Sequence, residues 1–183
     1  MYFSKTDYLR WVITLFILCL NIFVFDVNWL RASHIIFAFS WWSLLFFLAI
    51  ILGPVIHQLS EETKVNIIGY IVPRVFLTVS NVGFLTISLG WYLFLSYYFT
   101  NLEYIFKDLD NLLLAIFAIL TTLLYFFHIF LEQSEIQTAI KVREGIITPK
   151  DDEFKHLLKG LKIIPRFGFL LVTTTILVMF YHN

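Results

Sequence analysis

Apolar residues run along this chain in five long stretches, separated by short groups of polar and charged residues. A helix needs about 20 apolar residues to cross the ~30 Å hydrocarbon layer of a bilayer. The pattern therefore predicts an all-α integral membrane protein, with one domain over residues 1–183 and five transmembrane helices. The predicted helices cover residues 8–25, 29–53, 75–98, 112–131 and 163–181, and an inner loop covers 132–162.

The first stretch is the shortest and has two interpretations. Lys5 and Arg10 beside an apolar run are typical of a signal peptide. However, no small-residue cleavage site follows, and residues 26–28 suit a tight turn between antiparallel helices. We therefore expect a transmembrane helix added to a four-helix core. The second helix is expected to stop before Pro54, which cannot continue a helix cleanly.

Composition agrees with the membrane class. The chain is 60% hydrophobic and 14% charged, whereas soluble domains have about 25% charged residues. The net charge of zero gives no reason to expect nucleic acid as a partner. The lipid bilayer is the expected surrounding, and other membrane subunits are the expected protein partners.

The placement of basic residues predicts the orientation. With five crossings, eleven of the 13 lysines and arginines lie on the side of the N-terminus, and only Arg31 and Lys107 lie on the other. Cytoplasmic loops are enriched in these residues. We therefore expect a plasma-membrane protein with its N-terminus in the cytoplasm and its C-terminus outside.

Two groups of basic residues are expected at the lipid interface. Arg74 and Arg166 follow prolines in "IIGYIVPRVF" and "LKIIPRFGF", which indicates either ordinary helix entry with snorkelling arginines or a parallel internal repeat. After Thr148, apolar residues recur at helical spacing through Leu161. They predict a short amphipathic helix on the inner membrane face, or alternatively a docking surface for a partner. The lysines facing headgroups would be Lys155, Lys159 and Lys162.

The third helix carries a seam of small residues at spacings of three and four. Small residues allow helix backbones to approach closely in lipid, so the seam predicts helix packing. Its members are Ser80, Gly83, Thr86 and Gly90.

Few residues suggest chemistry. Every aspartate and glutamate is expected outside the apolar stretches or at their ends, which argues against ion coupling through a carboxylate. No phosphate loop, dinucleotide fingerprint, zinc-protease motif or serine-hydrolase motif occurs. The single Cys19 excludes an internal disulfide.

Histidines are the remaining candidates for cofactor binding. Haem iron and copper both accept imidazole, and His34, His57 and His128 are the candidate ligands. Counting from the helix ends separates His34 from His128 by ~15–20 Å, so they should not share a metal. Depth instead pairs His57 with His128 on a metal at the inner side, and His34 with His182 at the outer side. Alternatively, His34 is a neutral imidazole bonded to a carbonyl or hydroxyl of another helix.

The chain resembles the CopD-like superfamily of small integral membrane proteins. The resemblance lies in "SHIIFAFSWWSLLFF" with His34, Ala38 and Trp41, in "GPVIHQLSEE", in "VPRVF" with Gly90, and in "LLYFFHIFLEQ" and "HLLKGLKII". It departs from the family at Ser43 and Leu44, where a glycine pair is usual, and in its extra N-terminal helix. The resemblance implies a four-helix bundle and association with haem b or copper. The related HemJ oxidases also need a lysine, for which only Lys107 is available.

Three functions follow from these observations. The first is a non-enzymatic accessory or structural subunit of a respiratory or copper-dependent membrane oxidoreductase. The second is a b-type haem or copper-binding membrane protein with histidine ligands. The third, implied by the resemblance alone, is a HemJ-like porphyrinogen oxidase.

Overall fold

The structure, a computed structural model, describes residues 5–98 and 103–182, and the side chains of residues 8–97, 103 and 105–179. Within those ranges all regular secondary structure is helical. The helices are α1 (Lys5–Val24), α2 (Val27–Phe46), π1 (Phe47–Leu52), α3 (Gly53–Gln58), α4 (Glu61–Asn66), π2 (Ile67–Ile71), α5 (Val72–Tyr98), α6 (Glu103–Lys107), α7 (Leu109–Arg143) and α8 (Asp152–His182).

Four continuous helical stretches are long and apolar enough to cross a membrane. They are Val27–Gln58, Glu61–Tyr97, Leu109–Arg143 and Asp152–Met179. At most 39% of the residues in the most apolar part of each stretch are buried inside the protein. The outward-facing side chains are therefore largely apolar, as lipid rather than water requires. The predicted all-helical class is confirmed, and the four long apolar helices are consistent with a multi-pass membrane protein. Insertion into a membrane and a fifth crossing by α1 stay predictions.

Helices α2, α5, α7 and α8 form a four-helix bundle. Helix α2 packs against α5 and α8, α7 packs against the same two helices, and α1 lies outside the bundle against α5 and α2. Short connections make consecutive long helices antiparallel. We call the end with the turns at 59–60 and 144–151 the basic end, and the end with the turn at 25–26 and helix α6 the opposite end.

The helices extend further at the basic end than the sequence predicts. The predicted inner loop 132–162 is wrong, because α7 continues to Arg143 and α8 begins at Asp152. The predicted amphipathic helix on the membrane surface is also wrong. Phe154, Leu157 and Leu161 are buried in the protein core, so their apolar stripe packs against the bundle instead of lipid. The five predicted interface residues are all exposed: Arg74, Lys155, Lys159, Lys162 and Arg166.

The predicted helix end before Pro54 is wrong as well. The helix runs on to Gln58 through π1, where the Gly53 N–H donates to the Leu48 carbonyl five residues back. Proline has no N–H to continue the ordinary ladder, and a wider turn absorbs the defect. The segment π2 likewise ends two residues before a proline, Pro73.

The small-residue seam of α5 lies in the interior of the bundle. Ser80 and Thr86 are buried. A Cβ added at Gly83 would lie 2.9 Å from the ring of Trp41 and 3.0 Å from the ring of Tyr125. Helices α2 and α7 thus approach α5 closely at this glycine.

Gly83→Ala is expected to destabilise the protein by ~1–3 kcal/mol, because overpacking forces the two rings to move. Thermal unfolding in detergent measures the effect. Gly168→Ala is the matched control, since its Cβ would meet Leu45 only at an ordinary 3.4 Å. Equal melting temperatures for the two variants would contradict the tight contact.

The turn between α7 and α8 is held by Asp151. Its carboxylate accepts hydrogen bonds from the Thr148 N–H at 2.7 Å and the Thr148 hydroxyl at 2.9 Å. The Thr148 backbone hydrogen bond, followed by that of its hydroxyl, lowers the pKa of the Asp151 carboxyl below its ordinary 3.8. The turn is therefore tightest when Asp151 is ionised.

Asp151→Asn is expected to reduce the loss of stability in acid. A lowered folded-state pKa stabilises the protein above the unfolded value, and that stabilisation disappears as pH falls through the folded value. The wild type should therefore lose more melting temperature between pH 5 and about pH 3 than the variant does. Glu62→Gln, at an exposed carboxyl, should follow the wild-type profile.

Candidate functional site

A half-open cavity of about 1120 Å³ lies between the helices toward the opposite end, and exposed residues such as Ile35 and Tyr97 form part of its lining. Its lining reaches from Asp26, in the turn before α2, to Trp41 in the core. That span is about 20 Å along the helix axis. The volume lies slightly above the ~300–1,000 Å³ typical of small-molecule sites. The bundle can therefore hold a sizeable ligand between its helices.

His34 lies in the wall of this cavity. Its Nδ1 is 3.0 Å from the carbonyl oxygen of Thr86 on α5. Because a carbonyl only accepts, Nδ1 must carry the proton and donate, which leaves Nε2 as the nitrogen with a lone pair. This contact confirms the expectation that the imidazole bonds to a carbonyl of another helix.

Gly90 makes room for this imidazole. A Cβ at Gly90 would lie 2.8 Å from Cε1 of His34, closer than real contacts allow. Because Gly90 has no side chain, the edge of the His34 ring lies close against the α5 backbone, one turn beyond Thr86. Two contacts with one helix, a hydrogen bond and a close approach, fix the orientation of His34.

The threonine hydroxyls in the cavity wall are already hydrogen-bonded. Thr121 and Thr175 bond to each other at 2.9 Å, and Thr122 accepts from the Trp91 indole at 2.8 Å. The wall therefore behaves as an apolar, aromatic surface toward a ligand. Trp41 is different, because its indole N–H is buried and has no hydrogen-bond partner among the described residues.

The mouth of the cavity carries the charged groups. Asp26 caps α2 by accepting from the N–H groups of Asn28 and Trp29, and Asp108 caps α7. Arg31 is the one lysine or arginine among the described lining residues, and it is exposed. A ligand with acidic groups at one edge would meet this guanidinium.

The other candidate histidines lie elsewhere. His128 is buried and packs edge-to-face against Phe76, with ring centroids 6.0 Å apart. Phe76 precedes Thr86 by ten residues on α5, or about 15 Å, so His34 and His128 do not share a metal. His57 is exposed at the end of α3, and its pairing with His128 stays a prediction. The side chain of His182 lies outside the described residues.

These residues fit a haem better than a copper ion. Copper sites in proteins use several nitrogen or sulfur ligands. In the described part of the chain, no three histidine, cysteine, aspartate or glutamate side chains come together, and Cys19 is exposed on α1. A haem needs one oriented imidazole, a large apolar cavity and a cation near its carboxylates. His34, the aromatic walls and Arg31 supply these three.

A second polar cluster lies at the basic end. Glu132 lies at the end of the predicted apolar stretch 112–131, as expected, but its side chain is inside the protein and is 3% exposed. Its carboxylate accepts a hydrogen bond from Ser80, and His128 lies beside it. The signal in the sequence is the spacing of Tyr125, His128 and Glu132, which places all three on one face of a helix.

No protein-family model, curated protein or solved structure matches this chain. The resemblance to the CopD-like superfamily therefore stays a prediction.

Proposed function

We propose that this multi-pass membrane protein binds one b-type haem in the cavity, where His34 would hold the iron, and catalyses no bond-breaking reaction. The observation that carries the proposal is the His34 imidazole, fixed by Thr86 with Nε2 left available at the cavity wall. When bound, a haem supplies one-electron transfer. Electron transport, alone or within a larger complex, is the corresponding role.

Each residue has a defined part in this proposal. The Thr86 carbonyl sets the tautomer of His34 and raises the basicity of its free nitrogen, as outer partners of ligating histidines do. Gly90 keeps the ring from being pushed aside. The bonded threonines keep the wall apolar and free of competing ligands. Arg31 would pair with the haem carboxylates at the cavity mouth.

The basic end is proposed to face the cytoplasm. Basic side chains of α4, α5, α7 and α8 gather there, whereas the opposite end carries Arg31 and Lys107. The positive-inside rule then directs the cavity mouth to the outside of the plasma membrane. Fusions of a reporter to each terminus test this orientation independently of any cofactor.

An absorption spectrum of the full-length protein, purified from its native membrane in mild detergent, tests the proposal. We expect a Soret band that shifts on dithionite reduction, with about one haem per chain and no bound copper. Protein that retains its native fold and its membrane lipids yet has no Soret band would overturn it.

An accessory-subunit function is the second candidate. Helix α1 favours it, because this apolar helix packs on the bundle from outside and leaves Phe16 and Phe23 exposed. Such a helix suits contact with another membrane subunit as well as with lipid. Native electrophoresis of solubilised membranes should then show the chain migrating with a respiratory or copper-dependent oxidoreductase. Migration alone, with haem and redox activity, would exclude this candidate.

A HemJ-like oxidase receives no support from the geometry. Lys107, the one lysine available for that pattern, forms an ion pair with Glu103 at 3.0 Å. Among the described residues, no lysine lines the cavity that contains His34.

A further inference from the structure

Glu132 is a buried carboxylate with an incomplete set of partners. Its Oε2 accepts a hydrogen bond from the Ser80 hydroxyl, and its Oε1 is buried with no hydrogen-bond partner among the described residues. Ser80 is itself fixed, since the Tyr125 hydroxyl donates to the Ser80 backbone carbonyl at 2.9 Å. Helices α5 and α7 thus hold the carboxylate in one place.

His128 completes the cluster one turn before Glu132. It is 8% exposed, and its Nε2 lies 3.9 Å from Oε2 of Glu132. This nitrogen is also buried without a hydrogen-bond partner in the described part of the chain. Two neighbouring side chains, each at least nine-tenths buried, therefore both carry a polar atom without a hydrogen-bond partner among the described residues.

An ionised carboxylate with one hydrogen bond is costly in such surroundings. Burying a charge without a partner costs several kcal/mol or more, and a group in that position usually changes its protonation state instead. One proton shared between Glu132 and His128 makes the pair neutral overall, either as acid with imidazole or as carboxylate with imidazolium. Both forms remove the unpaired charge.

We propose that Glu132 and His128 form a buried site at the basic end of the bundle that holds a single exchangeable proton, with Ser80 positioning the carboxylate. Uptake takes one proton from water at the basic end and brings the pair from a net charge of −1 to zero. Release returns that proton and restores the charge. The site is separate from the proposed haem, and the inference does not depend on it.

The other groups around the pair make a proton the best-suited ligand. On α7 the neighbouring titratable groups are Tyr125 and Glu135. Helix α5 contributes Ser80 and Phe76, and the basic side chains of α8 are exposed. A metal ion would need further ligands. No third metal-binding side chain joins this pair among the described residues.

The dependence of unfolding on pH tests the site in the full-length protein. An unfolded chain releases its histidine proton near pH ~6.5. If the folded pair keeps one proton above that pH, the wild type loses stability as pH rises, and its unfolding equilibrium constant changes about tenfold per pH unit. This tenfold slope should be absent in Glu132→Gln, where the amide cannot hold the proton.

Two matched variants and a second readout complete the experiment. Glu144→Gln, at an exposed carboxyl, and Glu135→Gln, one turn away, should keep the wild-type slope. Infrared spectra of the wild type in D₂O should show either a protonated carboxyl or an imidazolium band, and Glu132→Gln should lack it. His128→Gln, whose remaining carboxyl releases its proton near pH ~4.3 when unfolded, should move the slope to lower pH.

Several results would overturn the proposal. One is a wild-type stability that does not change between pH 6.5 and pH ~8.5, the range in which one proton should be counted. Another is a slope that disappears in Glu135→Gln but stays in Glu132→Gln. Stoichiometric binding of Zn²⁺ that requires Glu132 would assign the site to a cation instead. If Glu132→Gln does not fold, the wild-type infrared bands and His128→Gln decide.

Discussion

His34→Ala is expected to abolish haem binding while leaving a folded membrane protein. The imidazole is the one histidine side chain in the described cavity lining, so no neighbour can take over the iron. Loss of an outer partner of a metal ligand costs about 10–100-fold in affinity, and loss of the ligand itself should cost more. The Soret absorbance per chain, measured on purified variants, reports the effect.

The controls separate loss of the ligand from loss of the fold. His156→Ala removes an exposed imidazole and should retain the full spectrum. Adding free imidazole to His34→Ala should restore part of the Soret band, because the cavity left by the side chain opens into the site. A full complement of haem in His34→Ala, lost instead in His128→Ala, would move the ligand to the basic end.

Trp41→Ala should cause the largest loss of stability of any substitution considered, ~3–5 kcal/mol, as large-to-small changes in a core do. Trp41 is 3% exposed, meets Tyr125 edge-to-face with ring centroids 6.0 Å apart, and fills the space over Gly83. Its removal joins an empty core volume to the large cavity. Unfolding in detergent, monitored by circular dichroism, measures the change.

Trp29→Ala is the matched control for this substitution. Trp29 lies on the same helix but is 60% exposed, and its main aromatic neighbour is Phe25 in the adjoining turn. We expect a change within about 0.5 kcal/mol, as for surface positions in general. Similar losses for the two tryptophans would show that the bundle does not depend on the contact between Trp41, Gly83 and Tyr125.

The long apolar helices could be predicted from the sequence, whereas the helix ends at the basic end could not. Long apolar stretches are local in the chain, and hydropathy detects them directly. Residues 132–143 are mixed in polarity and do not continue the apolar stretch before them. The helix predicted after Thr148 is present, but the sequence does not show that its apolar stripe packs against the bundle. Ala139 on α7 and Leu157 on α8 are buried in the same core cluster. The sequence of either segment alone does not show which residues it packs against.

The candidate site, too, could be predicted only in part from the sequence. His34 could be recognised as a histidine inside an apolar helix, and counting residues placed it far from His128. The cavity beside it depends on how four helices meet, which no single segment determines. The apolar pattern does not indicate that Glu132 is buried, because the residue directly follows the apolar stretch of its helix. Its burial depends on Ser80, 52 positions earlier in the chain.

The segments π1 and π2 interrupt the two arms of a helical hairpin, of which α2 and α3 form the first arm and α4 and α5 the second. Each wide turn accommodates one residue more than an α-helical turn, and one residue corresponds to about 100° of rotation. The residues of α3 and α4 are therefore turned by about 100° from the faces they would take on uninterrupted continuations of α2 and α5. The tip of the hairpin, formed by α3 and α4, therefore has its own rotational register. A one-residue deletion inside either wide turn would remove this offset and rotate the tip relative to the bundle.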